Sequence, residues 1–226
     1  MFSLNGLFRS MFGLRTLYGF FISIPYPLRR VLVILFIIWT LTKKKLIGVN
    51  RMNELTPLEK MKSLSFWGVP TIDNSAYTVL VKGLVDHPLK LSLKQLEDMA
   101  RIERKVRMDC VGGFRNNSVM SGVLLTDLLS NVQIKESAET VIFRCVDGYY
   151  TSLPLRELYQ RSAFLAFEVN GKRVSRFGSP LRLVVPGKYG YKWAKWVVEL
   201  EFVEGEVKGY WERLGLPQNA NVGGVS

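Results

Sequence analysis

Gly178-Ser-Pro-Leu-Arg-Leu-Val-Val-Pro-Gly-Lys-Tyr-Gly-Tyr-Lys-Trp-Ala-Lys-Trp-Val197 is the stretch on which the reading of this chain turns. Leu181 to Val185 is apolar and β-branched and reads as a strand, closed by Pro186. A loop with Gly187 and Gly190 follows, and it carries Lys188, Lys192 and Lys195. Glycines leave backbone N–H groups accessible, and cations beside them make a cradle for a phosphate dianion. A solvated basic hairpin has the same composition, so this stretch alone leaves both readings open.

Upstream, Ala163 to Val169 reads as a strand with Asn170-Gly171 as its hairpin turn, and Thr140 to Val146 as another, ended by Asp147-Gly148. Trp196 to Val203 is the last strong strand. Nearer the N-terminus, Thr78 to Val85 alternates as a strand, and Ser92 caps a short helix that runs to Met99. Arg104 to Cys110 is a strand, Gly112-Gly113 a turn, and Thr126 to Leu129 the start of a short helix. Strands and short helices mix without a steady βαβ rhythm, which predicts an α+β fold of mixed β-sheets with short helices. The domain is expected over 76–217, behind a linker at 51–75 and ahead of a flexible tail at 218–226. Within the linker, Glu54 to Lys62 is expected to form a short helix with Thr56 as N-cap and Pro57 at its first position.

Residues 1–50 differ in kind. Residues 31–41, VLVILFIIWTL, lie between Arg29-Arg30 and Lys43-Lys44-Lys45. A spanning helix needs about 20 apolar residues, so this run is short. It reads as a short anchor with snorkelling basic ends, the core of an export signal, or an interfacial helix, the alternative being a helix packed on the domain. Arg29-Arg30 resembles a twin-arginine export signal, but no small-x-small cleavage site follows, which favours an uncleaved anchor. The expectation is a hydrophobic helical segment associated with membrane lipid, the domain on the outer face of the cell membrane. Charge does not orient it, since four basic residues lie on each side.

The net charge of +12 belongs mostly to this arm. No Asp or Glu precedes Glu54, eight basic residues do, and the remainder carries only +4. No nucleic-acid recognition motif accompanies the charge, so nucleic acid is not an expected partner. The lone histidine, His87, precedes Pro88 and reads as a turn residue, which removes His-based metal sites and a Ser-His-Asp triad. There are two cysteines, Cys110 and Cys145, too few for a disulfide framework, and no C-x-x-C pair. Cys110 ends a strand and is followed by Val111-Gly112-Gly113, where the backbone can turn sharply and admit a bulky group. Its thiolate is a soft ligand suited to a redox metal, although a lone cysteine is more often a small buried hydrophobe.

RMDCVGGF (107–114), SGVLLTDLL (121–129), DGYYTSLPL (147–155), AFLAFEVNGKRV (163–174), GSPLRLVVPGKYGYKWAKWV (178–197) and EVKGYWERLG (206–215) together resemble the molybdopterin-binding domain of the sulfite oxidase superfamily. TVLVKGLVDHPLKLSLKQLEDM (78–99) resembles the family's opening segment, and the likeness runs in order over about 65–217. It is closest to the compact prokaryotic members, which include periplasmic methionine sulfoxide reductases. No b5-type haem domain is visible.

The resemblance implies a molybdenum–molybdopterin cofactor with Cys110 as thiolate ligand and metal site. It places the cofactor's phosphate end on Arg182 and on Lys192, Trp193, Ala194 and Lys195. It implies oxygen-atom transfer on a small sulfur substrate, sulfite or a sulfoxide, with an external electron-transfer protein or membrane redox subunit as partner. Arg115 matches the arginine that sulfite oxidases place in the anion pocket, a guanidinium able to grip an oxyanion; otherwise it is a loop arginine facing water. Cys145 falls where the family has small or hydroxyl residues and reads as core. Trp193, Trp196 and Trp211 read as packing. The chain departs from the pattern at Phe177, where the family commonly has His or Asn, at Met120, and at Gly215-Leu216-Pro217. A domain that keeps the fold and has lost the cofactor is the alternative these departures raise.

Overall fold

The computed structural model describes residues 54–223 apart from Phe66. The N-terminal hydrophobic segment expected at 1–50 lies outside the described residues. Among the described residues no helix is long and apolar enough to cross a membrane.

Among the described residues nine strands form two sheets: β1 (Thr78–Gly83), β2 (Leu89–Ser92), β3 (Arg101–Asp109), β4 (Arg115–Leu124), β5 (Thr140–Cys145), β6 (Tyr150–Pro154), β7 (Phe164–Val169), β8 (Arg182–Val184) and β9 (Val197–Val203). The first sheet has the order β2-β1-β9-β5-β6, with β1 parallel to β9 and the other pairs antiparallel. The second, β3-β4-β7-β8, is antiparallel throughout. Four short helices, Leu93–Glu97, Leu125–Leu129, Leu155–Gln160 and Tyr210–Arg213, punctuate the strands. This is the expected α+β fold of mixed sheets and short helices. One buried apolar cluster draws on both sheets, from Val79 and Val81 through Phe164 and Leu165 to Leu200 and Phe202.

Local chemistry explains most of the elements. Ser92 caps the first helix with a full capping box, its side chain accepting from the Gln95 N–H while the Gln95 side chain returns to the Ser92 N–H. Asn170 and Gly171 have φ of 49° and 70°, the pair of positive values that a two-residue hairpin turn demands. β4 is the longest strand, yet its alternation is hard to see in the sequence. Its inward side chains are Asn116, Ser118, Met120 and Gly122, and only Met120 is strongly apolar.

Two expectations are corrected. Residues 54–62 do not form a helix. The Thr56 hydroxyl, expected to cap one, accepts instead from the Asn117 N–H at 2.9 Å. Asn116 ties down the Lys62 backbone, accepting from its N–H at 3.2 Å and donating to its carbonyl at 2.7 Å. The segment is left as one turn on Pro57 in a chain otherwise held extended across the domain. The tail is not free through Gly223 either. The Tyr189 N–H donates to the Ala220 carbonyl at 2.8 Å, the Val222 N–H to Gly187 at 2.9 Å, and Arg161 to the Asn221 side chain at 2.7 Å.

Gly122 sits at the bulge between β4 and β7, and a Cβ there would fall 2.0 Å from the Leu165 carbonyl oxygen and 2.7 Å from the Ala166 Cα. Both neighbours are backbone, so neither can swing aside. Gly122→Ala is expected to destabilise the domain by about 3 kcal/mol or more, measured by thermal or urea unfolding.

Candidate cofactor site

Cys110 stands where β3 ends. Its N–H donates to the Phe114 carbonyl at 2.9 Å, and the Gly113 N–H returns to the Cys110 carbonyl at 3.0 Å, closing the turn into β4. Gly113 takes a φ of +86°, which a glycine adopts without strain. The Gly112 N–H donates to the Cys110 Sγ at 3.3 Å. The residue is buried, with 9% exposure.

The loop after β8 is packed directly against this turn. Asp109 bridges to Tyr189, and a Cβ on Gly190 would fall 2.7 Å from the Met108 Sδ. Residues about 80 apart in the chain therefore share one wall. Arg182 and Lys195 pair across a short bridge, and Gly178 at φ +104° lets both pass close to it.

The electrostatics of this pair are unusual. The Arg182 guanidinium is buried, donating to the carbonyls of Phe177 at 2.8 Å and Trp193 at 3.3 Å, while its Nε has no hydrogen-bond partner among the described residues. Burial lowers its pKa to about 10. The Lys195 ammonium donates to the Leu64 carbonyl at 2.7 Å and to the hydroxyls of Ser63 and Ser65, and lies 4.5 Å from the Trp196 ring centroid. Burial first, and the neighbouring Arg182 second, pull its pKa down to about 7, against smaller opposing effects of Asp147, Cys145 and Cys110. Among the described residues neither cation forms an ion pair with a carboxylate; every hydrogen-bond partner is neutral. A buried guanidinium and a half-buried ammonium, neither in an ion pair with a carboxylate among the described residues, beside a thiol that receives an N–H, fit an anionic group with a metal at its other end.

The other expected site residues divide. Trp193 is buried and donates its indole N–H to the Lys188 carbonyl at 3.1 Å, which braces the loop. Ala194 is buried and accepts from the Leu183 N–H at 2.7 Å. Lys192 does not join Arg182 and Lys195. Its ammonium, 1% exposed, is consumed by an ion pair with Glu212 and a hydrogen bond to the Ser152 carbonyl at 2.7 Å. Two of its three N–H donors are thereby engaged in the scaffold, so a phosphate role for Lys192 would have to share the ammonium with Glu212.

Arg115 is also elsewhere. Its Nε and Nη2 both reach one oxygen of the buried Asp109 carboxylate at 2.7 Å, while Arg107 holds the other oxygen at 3.0 Å. Asp109 and Arg115 face each other as the last cross-strand pair of the hairpin, and the Arg115 side chain is about half exposed. An anion-pocket role for Arg115 would have to share the guanidinium with Asp109.

Cys145, expected in the core, is indeed buried, and burial pushes its thiol well above the usual range. It also receives the Lys195 backbone N–H, so it backs the same wall. Phe177 is buried beneath Arg176, and its main-chain carbonyl serves Arg182 in place of a polar side chain. Sequence reasoning missed Ser63, Leu64 and Ser65. Nothing in a serine-rich linker signals that it will fold back onto a lysine 130 residues later.

Residues 66–211 match the family described as the oxidoreductase molybdopterin binding domain. The chain belongs to the sulfite oxidase superfamily of molybdopterin-binding domains. The family's cofactor is molybdenum–molybdopterin. The molybdopterin domain is 36% identical over 145 residues to the uncharacterized oxidoreductase YuiH of Bacillus subtilis, covering 63% of this chain and 73% of that one. It is 30% identical to the protein-methionine-sulfoxide reductase catalytic subunit MsrP of Xanthomonas axonopodis, covering 74% and 61%. It is 26% identical to the sulfite oxidase of Arabidopsis thaliana, covering 69% and 49%. The crystal structure of the sulfane dehydrogenase SoxCD from Paracoccus pantotrophus superposes with a TM-score of 0.58 at 25% identity, covering 62% of this chain and 41% of that one. The chain thus spans most of YuiH but only about half to three-fifths of the other two curated relatives.

Lys192 and Lys195 should respond differently to loss of their charge. Lys192→Met leaves Glu212 buried without its partner and is expected to cost about 3–5 kcal/mol of stability. For Lys195 the folded pKa is about 7, whereas an unfolded lysine holds its proton to about 10.4. Between these values the unfolded chain binds more protons, so this residue's contribution makes cofactor-free stability rise with pH. Lys195→Met is expected to flatten that rise, read from unfolding midpoints between pH 7 and pH 9.5.

Proposed function

We propose that the domain performs oxygen-atom transfer on a small sulfur substrate, with Cys110 as the protein's thiolate ligand to a pterin-held molybdenum. Arg182, Lys195 and the Trp193–Ala194 backbone hold the cofactor's anionic end. The observation that carries this reading is the meeting of Cys110 with buried Arg182 and half-buried Lys195, whose hydrogen-bond partners among the described residues are all neutral.

When bound, the cofactor supplies two-electron redox chemistry and an exchangeable oxygen. The chain's own residues do the rest. The Gly112 N–H stabilises the Cys110 sulfur as an anion, so it remains a donor to a metal. Arg182 and Lys195 gain the counter-charge they lack, which raises the Lys195 pKa from about 7 and keeps it cationic. Trp193 and Ala194 keep the loop rigid. The segment Lys62–Ser65 lies beside the sulfur and excludes water from that side.

Either direction balances with water. Sulfite and water give sulfate, two protons and two electrons; a sulfoxide, two protons and two electrons give a sulfide and water. The electrons require a partner, an external electron-transfer protein or a membrane redox subunit. Association with a membrane through the apolar run at 31–41 and its basic flanks, with the domain on the outer face, completes this reading. It is in keeping with relatives named as sulfoxide reductase subunits. Phe177 favours a second reading, a domain that has lost its metal, because the side chain there offers no polar contact.

Protein made in a host that synthesises the cofactor is expected to hold about one molybdenum and one pterin per chain, read by elemental analysis and by the fluorescence of oxidised pterin released on heating. Cys110→Ser is expected to reduce turnover to background. Metal-free protein would support the second reading, and unchanged turnover in Cys110→Ser would remove the ligand assignment.

A further inference from the structure

Among the described residues six large apolar side chains are more than a third exposed, and four of them, Leu55, Leu64, Trp67 and Val69, fall within residues 55–69. Their exposures run from 38% to 48%. The chain that carries them is pinned to the domain. The Thr56 hydroxyl accepts from the Asn117 N–H, and the Leu58 carbonyl accepts from Arg176. Asn116 holds the Lys62 backbone at both its N–H and its carbonyl, and the Leu64 carbonyl accepts from Lys195. Tyr210 meets Trp67 edge-on, with ring centroids 5.3 Å apart.

Backbone groups bonded inward leave alternate side chains of an extended chain to face outward. Lys60, Lys62 and Leu64 are exposed, with Met61 buried and Ser63 half-buried between them. Beyond a turn, Trp67 and Val69 are exposed on either side of half-buried Gly68. The strip therefore shows two lysines and then three carbon-rich side chains.

What covers the strip is set by what is attached to it. Leu41, the end of the apolar run, stands fourteen residues before Leu55. That spacing reaches at most about 50 Å fully extended, and about 20 Å as a flexible coil. A bilayer that holds the run thus has residues 55–69 close to its headgroups. Between 43 and 62 six basic residues stand against two acidic ones, a balance that anionic headgroups attract. Tryptophan settles where a bilayer meets water and lysine snorkels there, whereas lysine is depleted from protein–protein interfaces.

We propose that residues 55–69 form a lipid-facing strip, with Leu55, Leu64, Trp67 and Val69 against the upper acyl chains and Lys60 and Lys62 on anionic headgroups. This rests on the membrane association proposed above through the run at 31–41, and it adds which side of the domain faces the bilayer. The Cys110 turn lies on that side. A Cβ on Gly112 would fall 3.0 Å from the Leu64 Cδ1 and 3.4 Å from the Cys110 Sγ. A redox subunit in the same membrane then approaches the domain from the side of its sulfur.

The test reconstitutes the full chain carrying Trp39→Phe into vesicles of phosphatidylcholine and phosphatidylglycerol, with no other protein present. Trp39 lies in the apolar run, so its own signal is removed. Flotation reads association, and tryptophan emission in acyl-brominated against plain lipid reads contact with the chains. The emission lost on adding Trp67→Phe belongs to Trp67, and brominated lipid is expected to quench that part by about half. Lys60→Glu together with Lys62→Glu is expected to lower the quenching several-fold at low salt while flotation persists. Should Trp67→Phe fail to fold, Val69→Asp, at an exposed position, carries the test by lowering the total quenching. A chain that floats while its Trp67 emission is equal in both lipids would overturn the lipid-facing strip alone. A chain that does not float with the vesicles would overturn it together with the membrane association beneath it.

Discussion

Arg182, buried, and Lys195, half-buried, sit side by side, and among the described residues neither forms an ion pair with a carboxylate. Taking a cation out of water without a paired carboxylate is expensive, and placing a second cation beside it is worse. The fold supports the arrangement with main-chain carbonyls, serine hydroxyls and the Trp196 ring, partners that soften the charge without cancelling it. Elsewhere the same molecule pairs its buried lysines with glutamates, Lys188 with Glu157 and Lys192 with Glu212. The contrast separates charges that belong to the scaffold from charges left for a ligand. In the reading proposed above that ligand is the family's cofactor, with Cys110 at its metal end.

The scaffold and the site depend on each other through short contacts. Gly190 lets the loop after β8 lie against Met108, and Gly178 lets Arg182 and Lys195 pass within van der Waals reach. A side chain at either glycine would part the phosphate end of the site from its sulfur end. The ion pair of Lys192 and Glu212 ties the same loop to the C-terminal helix Tyr210–Arg213, and Trp193 closes it from within. Preorganisation of this kind spares the cofactor the cost of ordering its own cradle.

The segment 54–69 changes the character of the site. It is bonded to β4 through Asn116 and Asn117, to Arg176 and to Lys195, and then reaches Tyr210 through Trp67. Backbone groups that a linker would leave to water are spent on the domain. The consequence is a buried sulfur bordered on one side by the Leu64 side chain, with the Lys195 ammonium held close by on the Leu64 carbonyl.

Much of the fold was legible in the chain because it is written by near neighbours. Ser92 and Gln95 are three residues apart, Asn170 and Gly171 adjacent, and the β-branched runs of β5, β7 and β9 each bury apolar faces of their own. β4 and β6 were harder, since Asn116, Ser118, Thr151 and Ser152 are polar residues turned inward. By itself the sequence determined the alternation of strands and turns, the family, and the cysteine that ends β3. Only the tertiary structure decided which basic residues remain for a ligand. Arg115, Lys192 and Lys195 look alike in a sequence, but Asp109 claims the first, Glu212 the second, and neutral groups from Ser63 to Ser65 the third. A charge is spent or kept according to what packing brings within about 3 Å of it, and for Lys195 the partners are 130 to 132 residues away along the chain.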